Sequence, residues 1–269
     1  MDKSLLEHKD SDLSLQEFLN KFLDGRKQWE TYAGKESAFC DDTTIGPLTA
    51  MTKMFSSGGV KGNTLIQLSA LPFNYYNFPA CAYFTEIIFG TATDSCFREV
   101  EKWRKNETDA MDMSNFAQLV CDSEGNRQTW IEKEHLSRSK MRPVLIFDIT
   151  KSNPFCPVVL PEADCLLLTH CLELYTTDKE SFCSYLKNVS LLLKTGGHLL
   201  MVVALEITFY LVDNVKFPHL CFDVGFLRNA FTNIGYCIED LQVFPRKLER
   251  LYDFTDYRAF AFLKARKET

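Results

Sequence analysis

The sequence lacks a long apolar run. The longest one, 199–205, ends at Glu206 and falls far short of the roughly 20 residues that a membrane-spanning helix needs. The N-terminal stretch MDKSLLEHKDSD is polar and charged, whereas a secretory signal would carry an apolar segment. These absences predict a protein that does not bind membranes and that resides in the cytoplasm.

Basic clusters, cysteine pairs and a dinucleotide motif are missing as well. The net charge of -6 is scattered, so no stripe of Lys and Arg could neutralise phosphates, and no nucleic-acid partner is expected. The ten cysteines run from Cys40 to Cys237 without a C-x-x-C pair, which indicates reduced, buried thiols and no metal site. No G-x-G-x-x-G follows the first predicted strand, which disfavours nicotinamide-dependent redox chemistry.

The N-terminal part carries helix signals. Ser14 and Glu17 have the spacing of a capping box, and apolar residues at helical spacing follow them. A second apolar face covers 48–55 and ends at a Gly-Gly stop signal. Two helices are therefore expected within residues 1–60.

From residue 61 onward, short apolar runs alternate with amphipathic stretches. The runs lack polar alternation, as strands covered on both faces do, and the β-α-β-α order predicts a parallel sheet. The predicted strands are 63–69, 84–90, 143–148, 164–169, 198–205, 236–244 and 257–263, and the later helices are 178–193 and 223–234. We expect an α/β, Rossmann-like fold with a seven-stranded, mostly parallel sheet, helices on both faces and an antiparallel last strand. A single domain, 1–269, would then comprise a helical part, 1–60, and a core, 61–269.

Several stretches carry a resemblance to a known family. The segment LKTGGHL, 193–199, is similar to the L-K-P-G-G-x-L turn of class I methyltransferases. The stretches VKGNTLIQLS, FTEIIFG, EVEKWRKNE, VCDSEGNR and LPEADCLLLTHCLE resemble segments of nicotinamide, indolethylamine and phenylethanolamine N-methyltransferases in the same order. The resemblance covers nearly the whole chain. It implies the class I methyltransferase fold, S-adenosyl-L-methionine as cofactor, a small amine or pyridine as substrate, and a helical N-terminal lid.

The loop after the first core strand departs from this family. Family members have D-I-G-S-G-P there, and the glycines let the backbone approach the cofactor. This chain reads QLSALP, so that Gln67 replaces the Asp, and Ser69 and Leu71 replace the two glycines. The residues alone favour a simpler interpretation, a strand end followed by a helix that starts at Pro72.

Other family positions are also substituted. Thr91 stands where the family has an Asp that binds both ribose hydroxyls. A family Asn corresponds to Cys96, and two tyrosines of the N-terminal helix correspond to Phe18 and Leu23. The acidic substrate contact corresponds to Val203, so an amine or pyridine would lose its polar anchor.

Five family positions keep a polar or matching residue. The resemblance implies cofactor contacts at Tyr75, Asp148, Ile149 and Thr169, and a substrate contact at Tyr210.

Some of these positions have an alternative interpretation. Asp148 is equally suited to cap a turn, and Tyr75 and Thr169 suit structural roles. His170 and Glu173 suggest a general base, but a lone His in an apolar run is more often a core residue. We therefore assign no catalytic residue.

The substitutions predict that methyl transfer is weak or lost, because these enzymes work mainly by holding two reactants together. Two classes of protein stay open: a diverged S-adenosylmethionine-dependent N-methyltransferase, and a pseudoenzyme that acts as a binding or regulatory module. We expect a monomer with a small, apolar pocket. An open cleft with Asp94 or Glu173 facing the ribose position would favour the enzyme.

Overall fold

The structure, a computed structural model, describes residues 5–34, 42–125, 127–247 and 254–268. Its strands are β1 (Leu6–Glu7), β2 (Gly62–Ser69), β3 (Phe84–Thr91), β4 (Leu145–Ile146), β5 (Ala163–Thr169), β6 (Leu193–Leu205), β7 (Phe209–Val212), β8 (Val215–Pro218), β9 (Tyr236–Pro245) and β10 (Ala259–Lys267). Its α-helices are α1 (Leu15–Phe22), α2 (Gly25–Tyr32), α3 (Asp42–Ser56), α4 (Asp94–Arg104), α5 (Ser114–Ser123), α6 (Trp130–Lys140), α7 (Lys179–Ser190) and α8 (Val224–Thr232).

A large sheet of seven strands organises the described residues. Its order is β4-β3-β2-β5-β6-β10-β9, and β10 is antiparallel to both of its neighbours while the other pairs are parallel. The predicted α/β, Rossmann-like fold is thereby confirmed. Ser69 of β2 pairs with Thr91 of β3 on one side and with Thr169 of β5 on the other. The carboxyl ends of the three central strands therefore meet at one edge, where open α/β sheets bind ligands.

The helices that precede the sheet differ in number from the prediction. Helix α1 begins at the predicted capping box, in which Ser14 and Glu17 cap each other. The prediction of two N-terminal helices is wrong, because α2 lies between α1 and α3. Asp24 caps α2 by accepting a hydrogen bond from the Lys27 amide. Of the buried residues in this helix, only Trp29 is large and apolar. The sequence of α2 therefore lacks the apolar periodicity that reveals a helix.

Three further details of the fold differ from the expectations. The strand expected at 143–148 contains only two residues of β4, because this segment pairs with β3 alone at the edge of the sheet. The helix expected to begin at Pro72 is absent, and a 3₁₀ turn, Asn74–Asn77, follows the loop instead. A second sheet of order β1-β8-β7 was not predicted, since strands of two to four residues are too short to show alternation.

The described part of the chain bears on three expectations from the sequence, which concern disulfides, membrane-spanning helices and metal sites. Its nine cysteines carry free thiols, and Cys40 lies outside it. None of its helices has the length and apolarity to cross a membrane. Its His, Cys, Asp and Glu residues form no group that could hold a metal ion.

Candidate functional site

The loop after β2 uses its own backbone groups internally. The Ala70 amide donates to the His170 carbonyl oxygen at 3.0 Å, and the Leu71 amide donates to Ser69 Oγ at 3.2 Å. Glycine loops bind ligands by presenting free amides at close range. In this loop two amides already have partners, and Ser69 closes the turn.

Gln67 ties this loop to the neighbouring strand. Its side chain is 0% exposed, and Nε2 donates to Thr169 Oγ1 at 2.8 Å and to the Phe73 carbonyl oxygen at 3.2 Å. Thr169, a predicted cofactor contact, is therefore an internal hydrogen-bond acceptor. The family's Asp could not make these two bonds, because an ionised carboxylate has no proton to donate.

The ribose side of the edge is packed. Thr91 is fully buried, and its carbonyl oxygen accepts from the Phe147 amide at 2.9 Å. Cys96 is also buried beside the loop, with Sγ 3.5 Å from the Ala70 carbonyl oxygen. A side chain at Gly90 would clash, since a Cβ there would lie 2.9 Å from a ring carbon of Phe155.

Tyr175 is a residue of this edge that sequence reasoning missed. It is buried, its ring centroid lies 6.1 Å from that of Phe147, and its hydroxyl has no hydrogen-bond partner among the described residues. Burial raises its pKa well above the usual range, and the nearby Cys171 and Cys96 thiols add to this shift. Tyr175 and Phe147 thus pack against each other in the segments that follow β5 and β4. A large aromatic residue in the loop directly after a sheet strand was the available signal.

Asp148 has the hydrogen bonds of a turn cap. Its Oδ1 accepts from the Thr150 amide at 3.0 Å and from Thr150 Oγ1 at 2.6 Å, and its Oδ2 lies 3.5 Å from Lys151 Nζ. Partial burial raises its pKa, but these hydrogen bonds and the Lys151 charge outweigh burial, and the pKa lies below the usual value. The neighbouring Ile149 is fully buried.

The substituted positions of the N-terminal helix and of β6 lie in the core. Phe18 packs edge-on against Phe217, at 5.6 Å between centroids, and Leu23 is buried. Val203 is fully buried and pairs with Ala261 of β10. None of the three predicted positions lines the cavity that opens next to this edge.

The two candidate acid–base residues are both buried beside the loop. Burial lowers the pKa of His170 to about 3 and raises the pKa of Glu173 to about 7. His170 Nδ1 lies 4.0 Å from Glu173 Oε1, and Glu173 Oε2 accepts from the Cys171 amide at 3.2 Å. Asp94 is exposed in the first turn of α4. Glu173 is fully buried, and neither carboxylate lines the cavity beside the loop.

One cavity opens beside the packed edge, under α2. Its volume is about 60 Å³, compared with roughly 300–1,000 Å³ for ordinary small-molecule sites. Its lining comprises Gln28, Tyr32, Thr44, Leu71, Phe73, Tyr75, His170, Leu174, Ala204, Ile207, Tyr210, His219, Thr255, Tyr257 and Phe260. Of the predicted site residues, it brings together Tyr75 and Tyr210, whereas Ser69, Thr91, Asp148, Ile149, Thr169 and Val203 do not line it. The cavity is small and mainly apolar, but of the substituted positions that led to this expectation only Leu71 lines it.

The strand order and this edge define the class of protein. The fold is that of class I S-adenosylmethionine-dependent methyltransferases. Magnesium protoporphyrin IX methyltransferase from Synechocystis, solved with S-adenosylhomocysteine, has a TM-score of 0.60 at 8% identity, over 95% of this chain and 100% of that one. The DhpI complex with S-adenosylhomocysteine has a TM-score of 0.57 at 10% identity, over 94% and 95% of the two chains.

The sequence comparison identifies the family within this class. Residues 13–268 match the model of the NNMT/PNMT/TEMT family, and the chain belongs to that family. It is 38% identical to human nicotinamide N-methyltransferase over 73% of this chain and 74% of the relative. It is 34% identical to rabbit (Oryctolagus cuniculus) indolethylamine N-methyltransferase, over 82% and 83% of the two chains. Macaque (Macaca mulatta) phenylethanolamine N-methyltransferase shares 31%, over 88% and 85%. The predicted family membership is confirmed.

The cofactor of this family does not fit the described residues as they are arranged. The Ser69 loop is closed by its own hydrogen bonds, Thr91 is buried at the end of β3, and Tyr175 is buried against Phe147. The adjoining cavity of about 60 Å³ is too small for a nucleoside and an amino-acid group together.

Proposed function

We propose that this member of the N-methyltransferase family transfers methyl groups weakly or not at all. One observation supports the proposal: the edge that would receive the adenosyl part of S-adenosylmethionine is packed with the chain's own side chains, Thr91 and Tyr175 among them. Methyl transfer to nitrogen depends mainly on holding two reactants at near-attack geometry. A chain that does not hold the cofactor therefore does not accelerate the reaction.

The lost polar contacts point in the same direction. A hydrogen bond to a charged group contributes about 1.5–3 kcal/mol, and the family's carboxylates at the positions of Gln67 and Thr91 are absent. Losing both weakens cofactor affinity by roughly 10²- to 10⁴-fold. On the substrate side, Val203 offers no counter-charge to an amine or a pyridine.

A second proposal concerns what the protein does in place of catalysis. We infer a pseudoenzyme that serves as a binding or regulatory module. The observation that favours this role is the cavity beside the packed edge, because it leaves room for a small molecule but not for the cofactor. A cytoplasmic monomer that binds neither membranes nor nucleic acids remains part of the proposal.

The direct test is calorimetric titration of the protein with S-adenosylhomocysteine, together with methyl-transfer assays on nicotinamide, indolethylamine and phenylethanolamine. Human nicotinamide N-methyltransferase, assayed in parallel, is the positive control. We expect no heat of binding up to millimolar ligand and no turnover above the blank. Binding raises the free energy of unfolding by about 2.7 kcal/mol at 100 times the dissociation constant, so a thermal shift gives an independent measurement. Micromolar binding would overturn the proposal.

A gain-of-function variant tests the cause. Gln67→Asp, Ser69→Gly, Leu71→Gly and Thr91→Asp return the family residues, and Tyr175→Ala removes the aromatic ring from the packed edge. We expect the variant with all five substitutions to bind S-adenosylhomocysteine. The variant with the four family residues and Tyr175 intact should bind it more weakly. Circular dichroism establishes that both are folded. Equal binding by the two variants would show that Tyr175 does not block the site.

A further inference from the structure

A second cleft, of about 440 Å³, lies at the opposite end of β3 from the packed edge. Tyr83, which directly precedes β3, lines it, whereas Thr91 ends β3 at the packed edge. The other walls come from the end of α3 and from the segment that joins α5 to α6. The cleft has the volume of an ordinary small-molecule site, and it shares no lining residue with the cavity under α2. It is therefore a separate candidate site.

The wall of this cleft contains a buried ammonium group. The Lys133 side chain is 1% exposed, and its Nζ donates to Glu124 Oε2 at 2.6 Å. An ammonium group has three N–H donors, and the described residues supply this one with no second partner. Buried polar groups nearly always have partners, which include ligands and ordered water. The two remaining donors of Lys133 are therefore suited to a molecule bound in the cleft.

The lining carries an excess of positive charge. Arg127 is exposed at the cleft, and its guanidinium forms no hydrogen bond or ion pair with another described residue. Glu124 is the one carboxylate among the described lining residues, and Lys133 neutralises it. Two cations and one carboxylate leave one net positive charge. This charge attracts an anion and repels a cation.

The helix ends beside the cleft do not cancel this charge. Helices α3 and α5 both end there, and free carbonyl groups at a helix C-terminus carry partial negative charge. Backbone amides that follow each helix bond to carbonyl oxygens of its last turn: Ser57 to Lys53, Gly58 to Phe55, Glu124 to Val120 and Gly125 to Asp122. Helix α6 begins beside the cleft, and its N-terminal end adds partial positive charge.

The neutral part of the lining adds hydroxyl donors and an aromatic ring. The hydroxyl groups of Ser56 and Tyr83 form no hydrogen bond with another described residue. The Tyr83 ring stacks on Phe55, with centroids 5.6 Å apart and an angle of 20° between the planes, so its position is fixed. Hydroxyl donors suit the oxygens of an anion, and the ring suits the apolar or aromatic part of a ligand.

We propose that this cleft binds an organic phosphate, with the phosphate group between Lys133 and Arg127 and the organic part against Tyr83. A phosphate group offers oxygens to the free donors of Lys133 and to the forked guanidinium of Arg127 at the same time. A carboxylate has only two oxygens for the same donors. The inference goes beyond the proposed function, because neither the packed edge nor the cavity under α2 contributes to this site.

Four probes test the chemistry of the ligand. Phenyl phosphate carries both the phosphate and a ring, and inorganic phosphate lacks the ring. Benzoate replaces the phosphate by a carboxylate, and benzylammonium reverses the charge. Phosphorus NMR of the two phosphates measures binding to the full chain at pH 7 and physiological salt, which screens charges on the open surface. The other two probes are added as competitors.

We expect phenyl phosphate to bind about 10-fold more tightly than inorganic phosphate, as for one further favourable contact. Benzoate should displace it weakly and benzylammonium not at all. Absence of phenyl phosphate binding at millimolar concentration would overturn the proposal. Displacement by benzoate at equal concentration would refute the preference for phosphate, and equal binding of inorganic phosphate would refute the contact of the organic part.

Two variants localise the bound probe. Arg127→Gln removes a cation from an exposed position, and we expect phenyl phosphate affinity to fall about 10- to 100-fold, as for the loss of a hydrogen bond between charged groups. Arg228→Gln is the matched control, since Arg228 is exposed on α8 and does not line the cleft. Ala82→Trp places a large side chain at an exposed lining position and should abolish binding. If Ala82→Trp does not fold, Arg127→Gln still decides: unchanged affinity, or an equal loss in Arg228→Gln, would refute the site.

A third variant tests the part played by the buried ammonium group. Glu124→Gln keeps the shape of the side chain but removes its charge, so the full charge of Lys133 is available to the phosphate. We expect phenyl phosphate to bind about 3- to 10-fold more tightly, provided that circular dichroism shows a folded protein. Unchanged or weaker binding by the folded variant would refute the contact between Lys133 and the phosphate.

The S-adenosylhomocysteine titration on the same sample separates this site from the proposed function. Absence of both phenyl phosphate and S-adenosylhomocysteine binding refutes the phosphate site and leaves the inactive edge standing. Binding of S-adenosylhomocysteine refutes the inactive edge, whatever the phenyl phosphate result.

Discussion

Replacing Gln67 by Glu tests whether the cofactor edge is closed to water. The amide Nε2 makes two hydrogen bonds, to Thr169 Oγ1 and to the Phe73 carbonyl oxygen, from a position that is 0% exposed. A protonated Glu has the same shape and keeps one donor. An ionised Glu has none, and it would place a negative charge against the Phe73 oxygen. Gln67→Glu should therefore be tolerated at low pH and become destabilising as the pH rises.

The magnitude follows from the burial of this position. In the unfolded chain the Glu pKa is about 4.3, and in a closed, apolar site it rises, to about 8–9 in documented cases. A carboxyl group whose folded pKa is raised stabilises the protein at low pH, and this stability is lost as the pH increases between the two pKa values. The slope is about 1.4 kcal/mol per pH unit, so the variant should lose about 2.7 kcal/mol relative to the wild type between pH 5 and pH 7.

Urea unfolding at pH 5, 6, 7 and 8 measures this difference, with the m-value as a check that the denatured state is unchanged. Gln67→Met is the matched control: it also loses both hydrogen bonds but cannot ionise, so its difference from the wild type should not depend on pH. If Gln67→Glu and Gln67→Met gave parallel pH profiles, the new carboxylate would be hydrated. The edge would then be open to water, and the argument for its closure would fail.

Two further predictions concern other buried ionisable groups. Burial raises the pKa of Glu173 to about 7, so wild-type stability should fall as the pH rises from about 4.5 to about 7. In urea unfolding, Glu173→Gln should remove this part of the dependence of stability on pH. An unchanged pH dependence in the variant would contradict the prediction. Lys133 is 1% exposed and lies 2.6 Å from Glu124, so Glu124→Ala should cost about 3–5 kcal/mol by leaving a buried charge unpaired. The control is Asp213→Ala, which removes the partner of the half-exposed Lys27 and should change the free energy of unfolding little. Equal losses of stability in the two variants would refute the distinction between the buried and the exposed ion pair.

The agreement between sequence and structure is best for elements with strong periodicity. Strand β2, Gly62–Ser69, and strand β5, Ala163–Thr169, lie within one residue of their expected bounds. Continuous apolar runs of this length are stable only when both faces are covered, so the sequence constrains them strongly. Helix α2 and the sheet of β1, β7 and β8 were missed, because they are short and depend on packing against other elements.

The sequence by itself determined the fold, the family and the positions at which family residues were lost, because these are encoded in local patterns and in residue identity. It also indicated that Asp148 suits a turn as well as a ligand. Only the tertiary structure decided what the substituted residues contact. Gln67 bonds to Thr169 across 102 positions of sequence, and Tyr210 meets Thr255 through a single bridge. Such contacts join side chains that share no local pattern. Their existence follows from the way in which strands, loops and the N-terminal helices pack around one edge of the sheet.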